Sequence, residues 1–537
     1  MAIGIREYLS TRHTTLKPPV LLNAAANPIR LIGSLGLQQW LFFLGYLRKL
    51  SLLVEDSAIC VYCSRYHHIT SSVISLIDPA PNWGTIFLAS DGTEHPSLHE
   101  LTYLRKLGFL AWTWDAFDFH TVTLTYSELA STFDVSNSRI SVGVTLVLMF
   151  RPLGAAIFGI AADRFGRKWP FIINNMLLIV FELATGFCKT YNQFLSVRAL
   201  FGIAMGGIYG NAAATALEDC PDDARGLMSG VFQSGYPFGY LLATIFWKAF
   251  DNAGGHGWRP LFWFGAAPPL LLILFRLCLP ETDAFNGRHA FRSEESTIQG
   301  VFIEAKFAIR TYWRRLLYLV LLMTGFNYMA HGTQDIIALM LKDKYNYSST
   351  QITRAVVVAN VGGIFGSIIA GYSSQIFGRR LSIIVLCVLG GVLLYPYTNT
   401  SGPGIYAAFF FEQFCVQGAW GIVPIHLIEL SPVAFRTFVV GTAYQLGNLI
   451  SAASNTIETT IGERYPLPSI VEDSNTTKVY NYSIVMCIFS ACIFAYVILI
   501  TFLGPEELGR SMTEDEEDDW DDVECNNTAA QISESSD

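Results

Sequence analysis

About a dozen stretches of roughly 20 mainly apolar residues, separated by short polar breaks, constrain this 537-residue chain more than any other feature. A helix needs about 20 apolar residues to cross the hydrocarbon core of a bilayer. Only 15% of the residues are charged, against about 25% in an ordinary soluble protein. One or two membrane anchors would not explain so many apolar stretches. The sequence therefore predicts an all-α integral membrane protein with many spans.

The apolar stretches predict twelve membrane helices in two groups of six. The first six are expected at 112–130, 141–162, 169–188, 193–216, 227–249 and 260–279. The second six are expected at 316–341, 353–376, 381–397, 405–428, 436–457 and 482–503. Around these helices the chain divides into an N-terminal segment 1–39, a first bundle 40–279, a polar linker 280–315, a second bundle 316–503 and an acidic tail 504–537.

Residues 48–110 do not fit this pattern. The apolar run that begins at Trp40 stops after about eight residues, which is too short to span, and it resumes only near Ala111. The intervening segment shows no helical period, and the pentapeptide at 46–50 recurs at 103–107. Removing the segment would restore one uninterrupted first helix, so we interpret 48–110 as an atypical insertion, such as a retained intron in the gene model.

Two motifs occur twice in the chain. The pattern in Gly159–Lys168 returns in Gly371–Arg380, 212 residues later, and the pattern in Glu218–Gly230 returns with identical spacing in Glu429–Gly441, 211 residues later. Two matches at almost the same offset indicate a duplicated six-helix unit. Two pseudo-symmetric halves of this kind are typical of transporters that bind their substrate near the bilayer midplane.

The basic loops predict the orientation. The loops at 163–168 and 378–380 and the linker 280–315 are rich in Lys or Arg and fall on one side of the bundle, which the positive-inside rule assigns to the cytoplasm. Acceptor sites for N-glycosylation fall on the opposite side, at Asn346, Asn399 and Asn475. Both termini are therefore expected in the cytoplasm.

The net charge of −9 comes from the tail. From Glu506 to Asp537 there are 13 acidic residues and one Arg, so the rest of the chain is weakly positive. Such a segment cannot bury enough apolar surface to fold, and it predicts a disordered tail to which regulatory or trafficking proteins can bind. We expect no nucleic-acid partner.

Arg151 is a candidate for substrate binding, because a charged side chain inside a membrane helix is costly and is usually functional. Its planar guanidinium offers several donors to a substrate carboxylate. An interhelical ion pair that only fixes packing is the alternative.

The seventh helix holds the densest polar group. Asn327, His331 and Asp335 are spaced by four residues and share one face, with Gln334 beside them. A buried imidazole and a carboxyl one turn apart can exchange a proton near neutral pH, so His331 and Asp335 are candidates for proton coupling. Asn327 and Gln334 are candidates for substrate binding.

Two further helices carry polar candidates. Gln445 and Asn448 share a face of the eleventh helix and can bind a polar substrate or a facing helix. The first helix carries two carboxylates and an imidazole among aromatic residues, at Asp115, Asp118 and His120.

The loop after the second helix predicts a conformational latch. Asp163, at the end of that helix, can meet basic residues or a helix N-terminus in only one packing of the halves, and Gly166 permits a tight reversal. We assign to this latch the loop residues and the arginines of the second repeated motif, namely Asp163, Arg164, Gly166, Arg167, Arg225 and Arg436.

No motif in the sequence indicates an enzyme, a metal site or a cofactor. The ten cysteines are mostly scattered singly, and the Cys60 and Cys63 pair has no second pair to complete a zinc site. The sequence contains no Walker A motif, so we expect a proton gradient rather than ATP as the driving force.

Several motifs resemble the major facilitator superfamily: the 159–168 loop with its second copy, the Arg198-x3-Gly202-x3-Gly206 run and Pro280-Glu281-Thr282. Within that superfamily, four segments resemble the fungal Jen-type carboxylate permeases of the sialate:proton symporter family, namely 111–119, 201–207, 211–221 and 327–335. The resemblance extends from about Trp40 to Glu507, apart from 48–110. It implies the major facilitator fold with twelve spans.

The resemblance also implies a plasma-membrane proton symporter of small monocarboxylates such as lactate, pyruvate, acetate or propionate. In the implied motif N-x-x-[ST]-H-x-[ST]-Q-D-x-x-x-T, this chain has Ala330 for the first hydroxyl residue and Leu339 for the last threonine. A dicarboxylate symporter for succinate or malate therefore stays open. A nutrient sensor with a transporter fold is the alternative from another class.

Overall fold

The computed structural model describes residues 98–135, 137–217, 220, 224–250, 255–281, 298–432, 436–462, 464–467, 470–472, 475–477 and 480–510. The predicted N-terminal segment 1–39, most of the insertion 48–110 and the tail beyond Arg510 lie outside these residues. Predictions about those parts stay predictions.

The first half contains ten described helices that correspond to the first six predicted spans. Spans 1, 4, 5 and 6 each consist of two consecutive helices. In chain order the helices are α1 (Leu98–Leu124), α2 (Tyr126–Phe133), α3 (Asn137–Phe165), α4 (Lys168–Phe187), α5 (Tyr191–Gly206), α6 (Ile208–Leu217), α7 (Arg225–Gln233), α8 (Gly235–Ala249), α9 (Arg259–Gly265) and α10 (Pro268–Leu277).

The second half contains eight described helices and corresponds to predicted spans 7 to 12. Spans 7 and 11 each consist of two helices. The elements are α11 (Ile298–Gln334), α12 (Ile337–Tyr345), α13 (Ser349–Phe377), α14 (Arg379–Asn399), α15 (Gly404–Leu430), α16 (Arg436–Ser451), α17 (Ser454–Gly462), β1 (Ile470–Glu472), β2 (Asn475–Thr477) and α18 (Tyr482–Leu503). The antiparallel β1–β2 pair precedes the last span and is a small exception to the all-α prediction.

The start of the first span differs from the prediction. Residues 98–110, which the sequence places in the non-helical insertion, form the first half of α1. Leu107 is fully buried, and a Cβ on Gly108 would lie 2.7 Å from the Ala212 carbonyl oxygen, so this part of α1 packs closely on α6. The assignment of 48–110 to a retained intron stays a prediction that the sequence of the spliced transcript decides.

The linker between the halves is also more helical than predicted. Residues 298–315 belong to the long helix α11, which continues into the seventh span. The apolar residues of a span mark only the part of the helix that lies in the membrane. They do not show where the helix begins outside it, because a solvated helix end needs no apolar face.

The helix packing confirms the predicted duplication. In the first half α1 packs on α8 and α3 on α5, and in the second half α11 packs on α16 and α13 on α15. Each pair in one half has its counterpart six spans later. Between the halves, α3 packs on α16 and α7 packs on α13, which are again equivalent contacts.

Seven of the described helical segments are long and apolar enough to cross a membrane by length and composition alone. Some of the others, such as α1 with Asp115 and Asp118, carry buried charged side chains in the interior. On α14 an apolar stripe at helical spacing faces outward, with Val385, Leu389 and Val392 between 47% and 71% exposed. Such an exposed apolar stripe is what contact with lipid requires.

Two glutamates, one after span 6 and one after span 12, cap the N-termini of the equivalent helices α4 and α14. Glu281 accepts a hydrogen bond from the backbone N–H of Lys168 at the start of α4, at 3.0 Å. Glu506 accepts from the backbone N–H groups of Arg379 and Arg380 at the start of α14, each at 3.0 Å. Burial raises the pKa of the Glu506 carboxyl, and these two N–H donors oppose the shift. Residues 504–510 are thus packed against the bundle, in contrast to the predicted disorder of the whole tail.

Candidate functional site

A cavity lies between the two halves. Three spans of each half line it. Its lining residues are Phe119, Leu148, Arg151, Gln233 and Tyr236 from the first half and Asn327, Ala330, His331, Gln417, Trp420, Tyr444 and Asn448 from the second. A cavity in which a few polar groups converge among aromatic side chains is typical of a site for a small molecule.

Arg151 brings a positive charge to the cavity wall. It lies in the middle of α3 and is 3% exposed, and its Nη2 is 3.4 Å from Oδ2 of Asp115. The same nitrogen contacts the sulfur of Met205, and the guanidinium carbon is 5.3 Å from the centre of the Phe119 ring. Nε has no hydrogen-bond partner among the described residues. Arg151 therefore forms an interhelical ion pair, the contact that the sequence left open as the alternative to substrate binding, and no described residue accepts a hydrogen bond from its Nε.

Close backbone contact brings Arg151 to its position. A Cβ on Gly206 would lie 2.0 Å from the Arg151 carbonyl oxygen, and a Cβ on Gly202 would lie 2.6 Å from the Val147 carbonyl oxygen. A side chain at either position would therefore push α5 away from α3. The Gly202 and Gly206 positions of the Arg198-x3-Gly202-x3-Gly206 run thus allow the close packing of α5 on α3.

His331 and Asp335 lie together on the seventh span. Nδ1 of His331 is 3.0 Å from Oδ2 of Asp335, as the spacing of four residues predicts. His331 lines the cavity, whereas the Asp335 side chain is 27% exposed at the break between α11 and α12. The pair therefore connects the cavity to a more accessible carboxylate.

The four predicted amide residues divide into two groups. Asn327 and Asn448 line the cavity. Gln445 and Gln334 lie outside its lining: Gln445 accepts a hydrogen bond from Asn448 at 3.1 Å, and Gln334 donates to Gln413 at 2.7 Å. Gln334 thus joins α11 to α15, and Gln445 holds Asn448 on the same helix α16.

The latch residues lie where the two halves meet. Asp163 accepts hydrogen bonds from the backbone N–H groups of Thr437 at 3.2 Å and Phe438 at 2.8 Å, at the start of α16. Arg167 forms an ion pair with Asp163 at 3.1 Å, and Gly166 has φ of +90°. A carboxylate at a helix N-terminus is stabilised by the free N–H groups there.

The duplicated motif produces an equivalent contact. Gln375, the counterpart of Asp163, accepts a hydrogen bond from the backbone N–H of Gly226 at 3.2 Å, at the start of α7. Arg225 and Arg436 are the first residues of α7 and α16, and Arg225 donates to the Arg510 carbonyl oxygen at 2.9 Å. Arg164 lies in the last turn of α3. Each half thus binds a helix N-terminus of the other at one end of the bundle, which we call the latch end.

Sequence reasoning missed several cavity residues, including Gln233, Tyr236, Trp420 and Tyr444. Two of them, Tyr444 of span 11 and Gln233 of span 5, are equivalent positions of the repeat, since they are 211 residues apart. Equivalent positions in the two halves are expected to face the same central cavity. For Trp420 the sequence offers no such signal.

The polar residues of the first span separate in the structure. Asp115 joins Arg151, as described above. Asp118 is 1% exposed and lies beside Glu182, which forms an ion pair with Arg198 at 3.2 Å. His120 stacks on Tyr240 with ring centres 3.8 Å apart and lies outside the cavity lining.

Two related helical halves around a polar central cavity define the class of membrane transporters. Residues 106–301 and 318–392 match the family described as "Sugar (and other) transporter". The chain belongs to this family, within the major facilitator superfamily, whose members are transporters and not enzymes.

Two curated relatives show the range of the family. The chain is 39% identical over 438 residues to the carboxylic acid transporter protein homolog of Saccharomyces cerevisiae, covering 78% of this chain and 71% of that protein. It is 25% identical over 375 residues to the sialic acid transporter NanX of Escherichia coli, covering 68% of this chain and 88% of the relative.

A solved structure shares the fold. The proton:xylose symporter XylE bound to 6-bromo-6-deoxy-D-glucose superposes with a TM-score of 0.61, at 17% identity, over 78% of this chain and 98% of that one. This likeness confirms the predicted major facilitator fold.

Proposed function

We propose that the chain imports a small carboxylate together with a proton across the plasma membrane, with both termini in the cytoplasm. The observation that carries the proposal is the buried Arg151 guanidinium in a cavity that His331 also lines. An arginine fork matches the geometry of a carboxylate, and a permanent cation in a low-dielectric cavity favours an anionic substrate. Two relatives, named as a carboxylic acid transporter homolog and a sialic acid transporter, support the same class of substrate.

His331 and Asp335 are the proposed coupling residues. Their 3.0 Å contact lets a proton pass between an imidazole at the cavity and a carboxylate that is 27% exposed. Asn327 and Asn448 supply further hydrogen bonds to the substrate, while Gln445 orients Asn448. The proton gradient is the driving force, and the proposal needs no cofactor.

The residues that line the cavity favour a monocarboxylate of the lactate and pyruvate class. Arg151 is the cation that lines it, and Ala330 contributes a methyl group to the wall where the resemblance implies a hydroxyl. A second carboxylate would need its own donors, so succinate or malate is the alternative substrate class.

Labelled lactate uptake in yeast that lack their own carboxylate transporters tests the proposal. We expect lactate uptake to rise as the external pH falls and to stop when an uncoupler collapses the proton gradient. We also expect unlabelled succinate to inhibit lactate uptake less than unlabelled pyruvate does. An Arg151→Gln variant measures the background entry of undissociated acid. Uptake that is independent of external pH after this subtraction would contradict proton coupling, and stronger competition by succinate would favour a dicarboxylate.

A further inference from the structure

Two tyrosines from opposite halves stack on each other at the boundary of the cavity. Tyr209 lies on α6 of the first half and Tyr444 on α16 of the second, and their ring centres are 4.1 Å apart with 15° between the ring planes. Both side chains are buried, at 0% and 4% exposed. Tyr444 lines the cavity, and Tyr209 lies behind it, outside the lining. The stacked pair therefore closes the cavity on one side.

The position of the stack along α16 shows which side this is. Asn448, one turn after Tyr444, lines the cavity. Phe438, six residues before Tyr444, donates its backbone N–H to Asp163 at the latch end. Six residues of helix cover about 9 Å. The stack therefore lies between the cavity and the latch end.

Other aromatic rings surround the stack. Trp112 of span 1 makes edge contacts with Tyr209 at 4.9 Å and with Tyr444 at 5.8 Å between ring centres. Phe232 of span 5 stacks on Trp112 at 6.1 Å, and Trp420 of span 10 makes an edge contact with Tyr444 at 5.9 Å. Rings from spans 1, 4, 5, 10 and 11 thus pack together where the halves meet.

Next to the stack, the two halves also touch through their backbones. A Cβ on Gly210 would lie 2.8 Å from the Thr437 carbonyl oxygen and 3.2 Å from Cα of Gly441. Main chains at this distance leave no space for a solute between α6 and α16. The path from the cavity to the latch end is therefore closed by the ring stack and by the backbone contact.

The closed region contains polar groups without a partner. Oη of Tyr209, Nε1 of Trp112 and Oγ1 of Thr437 are buried and are not hydrogen-bonded among the described residues. Such groups are rare, because each one costs the free energy of its desolvation. Separation of the halves would expose these groups to water and satisfy them. This cost therefore belongs to the closed conformation, which the ring contacts have to offset.

We propose that Tyr209 and Tyr444 form the gate between the cavity and the latch end. The gate is closed in this structure, and the two rings must part before a substrate can pass on that side. The parting breaks one face-to-face contact between α6 and α16 and exposes the three polar groups to the path. This inference goes beyond the proposed function, because it depends neither on which carboxylate is carried nor on proton coupling.

Thiol labelling of the full chain, with its reactive cysteines replaced, tests the gate. Ala330→Cys places the target thiol in the cavity wall. A charged reagent that cannot cross the membrane is applied to vesicles of known orientation from the latch-end side alone. Tyr209→Leu removes the stack from the first half, and Tyr444→Leu removes it from the second. Phe246→Leu is the matched control, since its ring contact with Phe264, at 4.3 Å, lies within the first half.

We expect each gate variant to raise the rate of labelling from the latch-end side roughly tenfold, which is the shift that loss of one stacked aromatic pair can cause. Phe246→Leu should be labelled as slowly as the chain that carries only Ala330→Cys. Tyr209→Phe keeps the ring and loses only the hydroxyl, so it should also be labelled slowly. The amount of each variant in the membrane normalises the rates.

Several results would overturn the gate. Labelling that stays slow in either gate variant removes it, and an equal rise in Phe246→Leu shows a general loosening of the bundle instead. If only one gate variant reaches the membrane, that variant decides. If neither does while Phe246→Leu is present, the stack serves only to hold the fold together. Labelling needs neither lactate nor a proton gradient, so failure of the proposed symport in the uptake assay is a separate outcome.

Discussion

Arg151→Gln is expected to abolish saturable uptake of the carboxylate. The substitution removes the positive charge of the cavity wall, and loss of one partner from a buried charge pair costs about 2–5 kcal/mol. A loss of this size lowers the affinity for the substrate by about 30-fold or more. The measurement is the concentration dependence of labelled lactate uptake, normalised to the amount of protein at the cell surface.

The same substitution leaves Asp115 buried without its partner at 3.4 Å, which destabilises the bundle on its own. The double variant Arg151→Gln with Asp115→Asn separates the two effects, because it restores the charge balance without restoring the cation. We expect the double variant to be present at the cell surface in the same amount as the unchanged chain and to remain inactive. Arg151→Lys keeps the charge but loses the fork, so it should bind the substrate more weakly. Uptake by the double variant with an unchanged KM would show that Arg151 only fixes the packing.

Asp163→Asn is expected to have the second largest effect, through the conformational equilibrium rather than the substrate site. The carboxylate accepts from the N–H groups of Thr437 and Phe438 with its two oxygens, whereas an asparagine offers one acceptor and no charge. Hydrogen bonds to a charged group contribute about 1.5–3 kcal/mol each. The substitution should therefore lower the population of the conformation in which the two halves are in contact at the latch end. The conformation in which the halves are separated at that end should become more populated.

Pulsed electron paramagnetic resonance can measure this shift in a variant with its reactive cysteines removed. Spin labels at Trp169→Cys and Phe377→Cys report on the two halves near the latch end, where the native side chains are 59% and 50% exposed. We expect Asp163→Asn to lengthen the distance between the labels and to slow net uptake. Asp134→Asn, the same chemical change at an exposed residue that ends α2, should change neither. An unchanged distance in Asp163→Asn would contradict the latch.

The positions of the spans and the duplication could be predicted because both are local properties of the sequence. Apolar runs mark the spans, and the two repeated motifs fix the register of the halves. The breaks within spans could not be predicted, since neither the apolar run nor a polar residue within it shows where the helix is interrupted. At Gly207, between α5 and α6, a Cβ would lie 2.6 Å from Phe158 and Asn174, so packing against other helices determines that position.

The site was partly predictable for a related reason. Polar residues in apolar helices are conspicuous, and Arg151, Asn327, His331 and Asn448 all reach the cavity. Gln445 is polar as well, but the rotation of α16 turns it toward the Gly206 carbonyl oxygen, at 3.5 Å. Aromatic wall residues such as Trp420 gave no signal, because an aromatic residue in an apolar run does not show whether it faces lipid, a neighbouring helix or a cavity.

Proton movement measured together with lactate movement tests the central claim most directly. The purified chain is reconstituted into vesicles that hold a pH-sensitive dye, and a lactate gradient is applied with equal pH on both sides. We predict that the interior acidifies as labelled lactate enters, above the background of vesicles that contain Arg151→Gln. Lactate entry above that background without acidification would show transport that is not coupled to protons.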